Sequence, residues 1–246
     1  MRLTPEVYLV GGGNLGFNLS DAFDSHVYIV DGGAELAMID SGTGLGEDEI
    51  IAHARADGLN IDAIKHVLVT HGHFDHAGGA AGMRARLGAT VLATSSTADF
   101  LRRGDEDAIS LTAARQAGIY PAHYRLEPTP IDAEIHDGDK VDVGSLQLEV
   151  LDTPGHCAGH ACFVLRGTGQ TCLFSGDMLF FGGVIALQRI WDCDVQAHIR
   201  SLERLRGLGV DMFFPGHLGF SLKDGQRHID AALARLDRML IPMNLL

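Results

Sequence analysis

A chain of 246 residues, 46% hydrophobic and 21% charged, can bury a large core and lies outside the composition of disordered proteins. Its net charge of −13, with 19 Lys and Arg against 32 Asp and Glu and no basic run, disfavours a large phosphate-backbone footprint; the expected partner is a small-molecule substrate, not nucleic acid. No stretch approaches the ~18 apolar residues of a membrane span, and MRLTPEVYLVGGGN lacks a signal-peptide core and cleavage site; the expectation is a cytoplasmic protein without a membrane partner, folded as one domain over residues 1–246.

In chain order, VYLV (7–10) reads as a strand. The GGGNLG that follows matches the dinucleotide fingerprint G-x-G-x-x-G, but the next strand, HVYIV, begins 26 − 16 = 10 positions later, too soon for a crossover helix. A flexible loop bordering the active site is expected there instead. HVYIVDGG (26–33) and ELAMIDSG (35–42) read as a hairpin turning on Gly-Gly. Residues 47–57 have helical character and end at Gly58; KHVLVT (65–70) is a short buried strand leading into THGHFDH (70–76). Residues 80–87 read as a helix closed by Gly88, ATVLAT (89–94) as a strand, and 95–103 as a helix capped by Ser95 or Ser96. This is βαβα order, the pattern of an α/β fold.

Residues 104–130 loosen into mixed charge, tyrosines and three prolines, and are expected to form an insertion with some helix that lines a pocket. The second half repeats the first: SLQLEVLD (145–152) alternates as a strand does, ACFVLRG and TCLFSGD flank a glycine-rich turn, DMFFPGH holds one more strand, and helices are expected over 195–206 and 224–240. The apolar run MLIPMNLL (239–246) is expected to pack on its own domain, with a homodimer contact as the alternative. The four cysteines form no C-x-x-C pair and read as small buried side chains.

Four times an apolar strand runs into a short polar loop: after Val69 (THGHFDH), Leu151 (DTPGHCAGH), Phe174 (SGD) and Phe214 (PGH). Site residues of α/β folds collect at such strand ends. In THGHFDH an extended chain puts His71 and His73 on one side, able to share an ion, and a turn after Phe74 can aim Asp75 and His76 at a second point. Imidazole and carboxylate suit zinc, iron or manganese. With His156, Asp177 and His217 on the other loops, the seven side chains supply about three ligands per ion and a bridge.

T-H-x-H-x-D-H followed by T-P-G-H, S-G-D and P-G-H resembles the metallo-β-lactamase-fold hydrolase superfamily over roughly residues 7–217. The resemblance implies an α/β fold, specifically an αββα four-layer sandwich, with two divalent metal ions, zinc first and iron or manganese next. It implies that His71, His73 and His156 hold one ion, Asp75, His76 and His217 the other, and that Asp177 bridges them.

Within that family, TPGHxxGH and a Gly-Asp followed by Leu-Phe are similar to glyoxalase II and related thioesterases. Glyoxalase II proper adds a helical domain that binds glutathione, whereas 246 − 217 = 29 residues follow His217 here, so glutathione specificity is not expected. The lactonases of the family share all seven ligands. True metallo-β-lactamases lack the aspartate that Asp177 represents, and flavodiiron oxidases carry Glu where His73 stands. The expected function is hydrolysis of a thioester, lactone or ester bond by a hydroxide bridging the two metals, with Asp75 orienting it and passing its proton to the leaving group. The alternative is a sulfur oxidoreductase resembling the mono-iron persulfide dioxygenases. Tyr120, Tyr124, Phe180, Phe181 and Trp191 are the candidate substrate-binding residues, and His160 is expected to support its loop.

Overall fold

The computed structural model describes residues 1–245; Leu246, the last residue of the apolar run, lies outside them. The chain forms two compact units: Met1–Ile135 with Val143–Ser145, and His136–Asp142 with the residues from Leu146 onward.

The first unit is built on a six-stranded sheet whose spatial order is its sequence order: β1 (Val7–Gly11), β2 (Val27–Asp31), β3 (Leu36–Ile39), β4 (Ile64–Leu68), β5 (Thr90–Thr94) and β6 (Ala133–Ile135). The first two pairings are antiparallel and the next three parallel. Connection length explains the switch. Four residues, 32–35, can only turn β2 back into β3, whereas a parallel neighbour needs a crossover. The crossovers are α1 (Glu47–Ala56) before β4, α2 (Phe74–Ala77) and α3 (Ala80–Leu87) before β5, and α4 (Ser95–Arg103) and α5 (Leu111–Gln116) before β6. Because β1 pairs antiparallel with β2, the glycine-rich stretch opens no βαβ unit, and its nucleotide reading fails on topology.

The second unit holds a five-stranded sheet in the order β11-β10-β9-β8-β7: β7 (Lys140–Val143), β8 (Leu146–Asp152), β9 (Ala161–Arg166), β10 (Cys172–Gly176) and β11 (Met212–Pro215). β9 is antiparallel to both β8 and β10, and β10 is parallel to β11 across α6 (Val195–Arg204). Asp194 caps α6, its carboxylate accepting from the backbone N–H groups of Gln196 and Ala197. α7 (Gln226–Leu236) packs Ile229, Ala232 and Leu233 into this unit's core with Leu173, Phe213 and Leu202.

The expected elements are present, with local corrections. Thr94, extended at φ −63° and ψ 158°, occupies the N-cap of α4, so Ser95 and Ser96 lie inside the helix. α7 is shorter than residues 224–240 because Asp224 and Met239 adopt left-handed φ of 52° and 59°, which a helix does not accommodate. β6 and β7 are additional strands. Residues 104–130 are more than a pocket-lining insertion, since Ile109, Leu111, Tyr124 and Leu126 are buried in the first unit's core. Among the described residues no helix is long and apolar enough to cross a membrane.

Candidate metal centre

In the first unit β3, β4 and β5 run parallel, so their C-terminal ends share one edge of the sheet. β4 delivers the chain there. His73 is extended (φ −60°, ψ 146°) and starts the single turn α2, which is pinned by the buried Phe74 ring. The extended stretch puts His71 and His73 side by side, their ring centroids 4.7 Å apart. The turn then brings His76 to 4.1 Å from His71, centroid to centroid, and Asp75 Oδ2 to 3.7 Å from His76 Nε2.

Asp40, at the end of β3, fixes this set. Its Oδ2 lies 2.7 Å from His76 Nδ1, its Oδ1 accepts from the Thr70 backbone N–H at 2.7 Å, and the Thr70 hydroxyl reaches both oxygens at 3.0 and 2.8 Å. Since a carboxylate only accepts, His76 donates through Nδ1–H and the Thr70 hydroxyl gives its proton to Asp40. Thr70 Oγ1, 3.0 Å from His71 Nδ1, then accepts from His71. Both imidazoles therefore carry the proton on Nδ1 and direct a lone pair along Nε2. The sequence reading missed Asp40, although LAMI running into DSG has the same strand-into-polar-loop signature as the four stretches it used. The loop before β2 supports the same turn: Ser25 N–H donates to the Asp75 carbonyl, and buried Asp24 accepts from Ser20 Oγ and from the Thr43 N–H and hydroxyl. Burial pushes the Asp24 carboxyl above its usual range in spite of those bonds.

In the second unit topology again does the gathering. β8, β10 and β11 all point the same way, with β9 reversed between β8 and β10, so the loops bearing His156, Asp177 and His217 leave one sheet edge. Asp177 Oδ2 lies 3.7 Å from His156 Nε2 and 3.6 Å from His217 Nε2. His156 is buried, and its Nδ1–H donates to the Ala186 carbonyl at 2.9 Å, which again places the ring's lone pair on Nε2. His160 acts behind Asp177: its Nε2 accepts the Asp177 backbone N–H at 3.1 Å, so its Nδ1 carries the proton shared with Thr153 Oγ1 at 2.9 Å.

The donor sets fit divalent transition ions. Two ligands each ~2.1 Å from a tetrahedral ion stand ~3.4 Å apart, and the imidazole–carboxylate pairs of both units are spaced at 3.6–3.7 Å.

The proposed substrate residues divide. Tyr124 is a core residue whose hydroxyl donates to Asp21 at 2.7 Å; burial first, and that bond second, raise its pKa. Tyr120 packs on Phe23 and Phe74. Phe180 is buried with its ring 6.1 Å from that of His217. Phe181 is exposed, and its ring lies tilted against that of His228, with centroids 4.5 Å apart. Trp191, 64% exposed, rims a cavity of about 560 Å³ with Ala158, Cys193 and Val195. Ser221 and His228, 2.7 Å apart, look like a nucleophile and its base but are not one. His228 Nδ1 accepts the Gly182 N–H, so Nε2 carries the proton and donates to the serine.

The family model of the metallo-beta-lactamase superfamily matches residues 20–217. An atrochrysone carboxyl ACP thioesterase from Aspergillus fumigatus is 28% identical over 96% of this chain and 63% of its own length. A hydroxyacylglutathione hydrolase from Methylococcus capsulatus is 32% identical over 59% of this chain and 44% of its own. The chain thus spans less than two thirds of the length of these relatives. Among solved structures, a metallo-beta-lactamase family protein from Thermus thermophilus is 26% identical with a TM-score of 0.72, covering 97% of this chain and 83% of that one. A Cronobacter sakazakii metallo-beta-lactamase with a HARLDQ motif, 24% identical with a TM-score of 0.70 over 97% of this chain and 86% of that one, shares the fold. Two sheets flanked by helices, with the family match running through both donor sets, make this chain a member of the metallo-beta-lactamase superfamily.

Proposed function

We propose that the protein is a dinuclear metal-dependent hydrolase of a small-molecule thioester, with lactones and other esters as the next substrates. The observation that carries this reading is Asp177, one of whose oxygens stands within 3.7 Å of the Nε2 atoms of both His156 and His217, as a ligand shared between two ions must. His71, His73 and His156 would hold one ion, Asp75, His76 and His217 the other, and Asp177 both. Bound there, divalent ions, zinc first and iron or manganese next, supply Lewis-acid polarisation of a carbonyl and a water that ionises near neutral pH.

The chain's own groups handle orientation and protons. We assign the Asp75 carboxylate, 3.7 Å from His76, to take the proton of the attacking water and return it to the leaving atom. Asp40 and the Ala186 carbonyl keep the Nε2 atoms of His76 and His156 turned outward as ligands. A thiolate departs without a dedicated acid, whereas an alkoxide benefits from one. The Tyr124 phenol is engaged with Asp21 and its pKa is raised, which supports the thioester reading, as does the name of the A. fumigatus relative.

The test is elemental analysis of protein purified without chelator, with thioester and lactone turnover assayed on the same sample. Two ions per chain with faster thioester turnover is the expected result. One iron per chain, no hydrolysis and oxygen uptake with a glutathione persulfide would replace this reading with the sulfur oxidoreductase.

A further inference from the structure

The carbonyl that orients His156 belongs to a segment with an unusual support. Ile185 forms a parallel β-bridge with Asn244: its N–H donates to the Met243 carbonyl at 2.9 Å and its carbonyl accepts the Leu245 N–H at 2.8 Å. Two residues on, the Asn244 side chain repeats the pattern. Its Oδ1 accepts the Leu187 N–H at 2.8 Å and its Nδ2 donates to the Leu187 carbonyl at 3.1 Å.

Ile185 and Leu187 are therefore each held by both backbone groups, from the same side. Along an extended chain successive carbonyls point in opposite directions. Fixing 185 and 187 toward residues 243–245 thus aims the Ala186 carbonyl the other way, where it meets His156 Nδ1–H at 2.9 Å. Met243 is 62% exposed while Ile185 is 1% exposed. The outer segment adds four hydrogen bonds to the 185–187 backbone and little apolar burial of its own through Met243.

We propose that residues 243–245 are a strap, with Asn244 its positioning residue, that sets the tautomer and direction of His156 as a metal ligand; the last step rests on the metal-centre reading above. The Asn244 side chain grips the Leu187 backbone. It acts through Leu187 and Ala186, so its removal loosens one imidazole and leaves His160, held separately by Thr153 and Asp177, as an internal reference.

The experiment compares wild type, Asn244→Ala and Asn244→Asp. Asp keeps the acceptor for Leu187 N–H and loses the donor. In apo-protein, histidine side-chain ¹⁵N–¹H spectra report the Nδ1–H of His156 and of His160. Zinc affinity is read by competition with a chromophoric chelator. In Asn244→Ala the His156 Nδ1–H should exchange at least roughly 10-fold faster with His160 unchanged, and zinc should bind roughly 10-fold more weakly, as for other partners of metal-bound histidines. Asn244→Asp should fall between the two. An unchanged His156 signal, an unchanged zinc affinity, or equal loosening of His156 and His160 would overturn the proposal. If Asn244→Ala does not fold, Asn244→Asp against wild type decides by the same signals. If the wild type binds no metal, the hydrolase reading fails, while the apo spectra still decide whether the strap positions His156.

Discussion

At Asp40 a single carboxylate meets the Nδ1 of His76 and both polar groups of Thr70. It does so from a left-handed backbone, φ 59°, which Asn and Asp tolerate better than other side chains. Asp40→Asn should therefore fold while weakening the charge-assisted bond to His76, and zinc affinity in a chelator competition should fall roughly 10-fold; an unchanged affinity would show that His76 is oriented by Thr70 and α2 alone. His228 offers a prediction in pH. Burial, and then the neighbouring Arg227 charge, lower its pKa from 6.5 to about 4. As pH drops, the unfolded chain takes up this proton first, so the contribution is complete above about 6.5 and is lost as pH falls toward about 4. Urea unfolding at pH 7 and pH 4 should show His228→Gln losing less stability than wild type over that interval, by a difference of order 2–3 kcal/mol. Equal losses would mean that His228 is protonated in the native state without penalty.

Strand ends and the glycines beside them decide what the elements can deliver. Gly155 has φ +135°, and a Cβ there would lie 2.2 Å from the His198 backbone nitrogen at the start of α6. The loop after β8 can approach α6 only because that Cβ is missing, and His156 is the next residue. Gly58 also has positive φ, +82°, but open space around it. Gly58→Ala should cost about 1 kcal/mol of backbone strain, and Gly155→Ala more than about 2 kcal/mol, because backbone must move as well. Denaturant midpoints of the two variants check the ordering, and the reverse order would refute this account of the loop. The same scale shows why two strands went unread. AEI and KVDV are three and four residues long, and the solvent-facing residues of KVDV, Lys140 and Asp142, are charged, so their pattern is too short and too polar to stand out from a loop.

For the whole molecule, metal removal is the direct probe. Ligands that bind only the native state stabilise it by about 4 kcal/mol when present at about 1,000 times their dissociation constant. For a chain of this size that corresponds to a fall in Tm of roughly 10 °C on chelation. Calorimetry of wild type before and after chelator treatment, with zinc added back, should show the fall and its recovery; the same Tm in all three states would count against ions held by the native protein.

Read alone, the sequence determined the α/β class and nearly every element, and it pointed to seven candidate donor side chains. Those depend on local period and on strand-into-loop transitions, which neighbouring residues encode. Tertiary structure alone decided which groups stand behind the candidate donors. Asp40 meets His76 across 36 positions, Ala186 meets His156 across 30, and Asn244 meets Leu187 across 57. It also turned Tyr124 inward to Asp21, 103 positions away. Side-chain period says which way a residue faces, but a hydrogen-bond partner depends on which strand lies alongside. That follows from the order of strands in each sheet, a property of the folded chain that no local stretch of sequence contains.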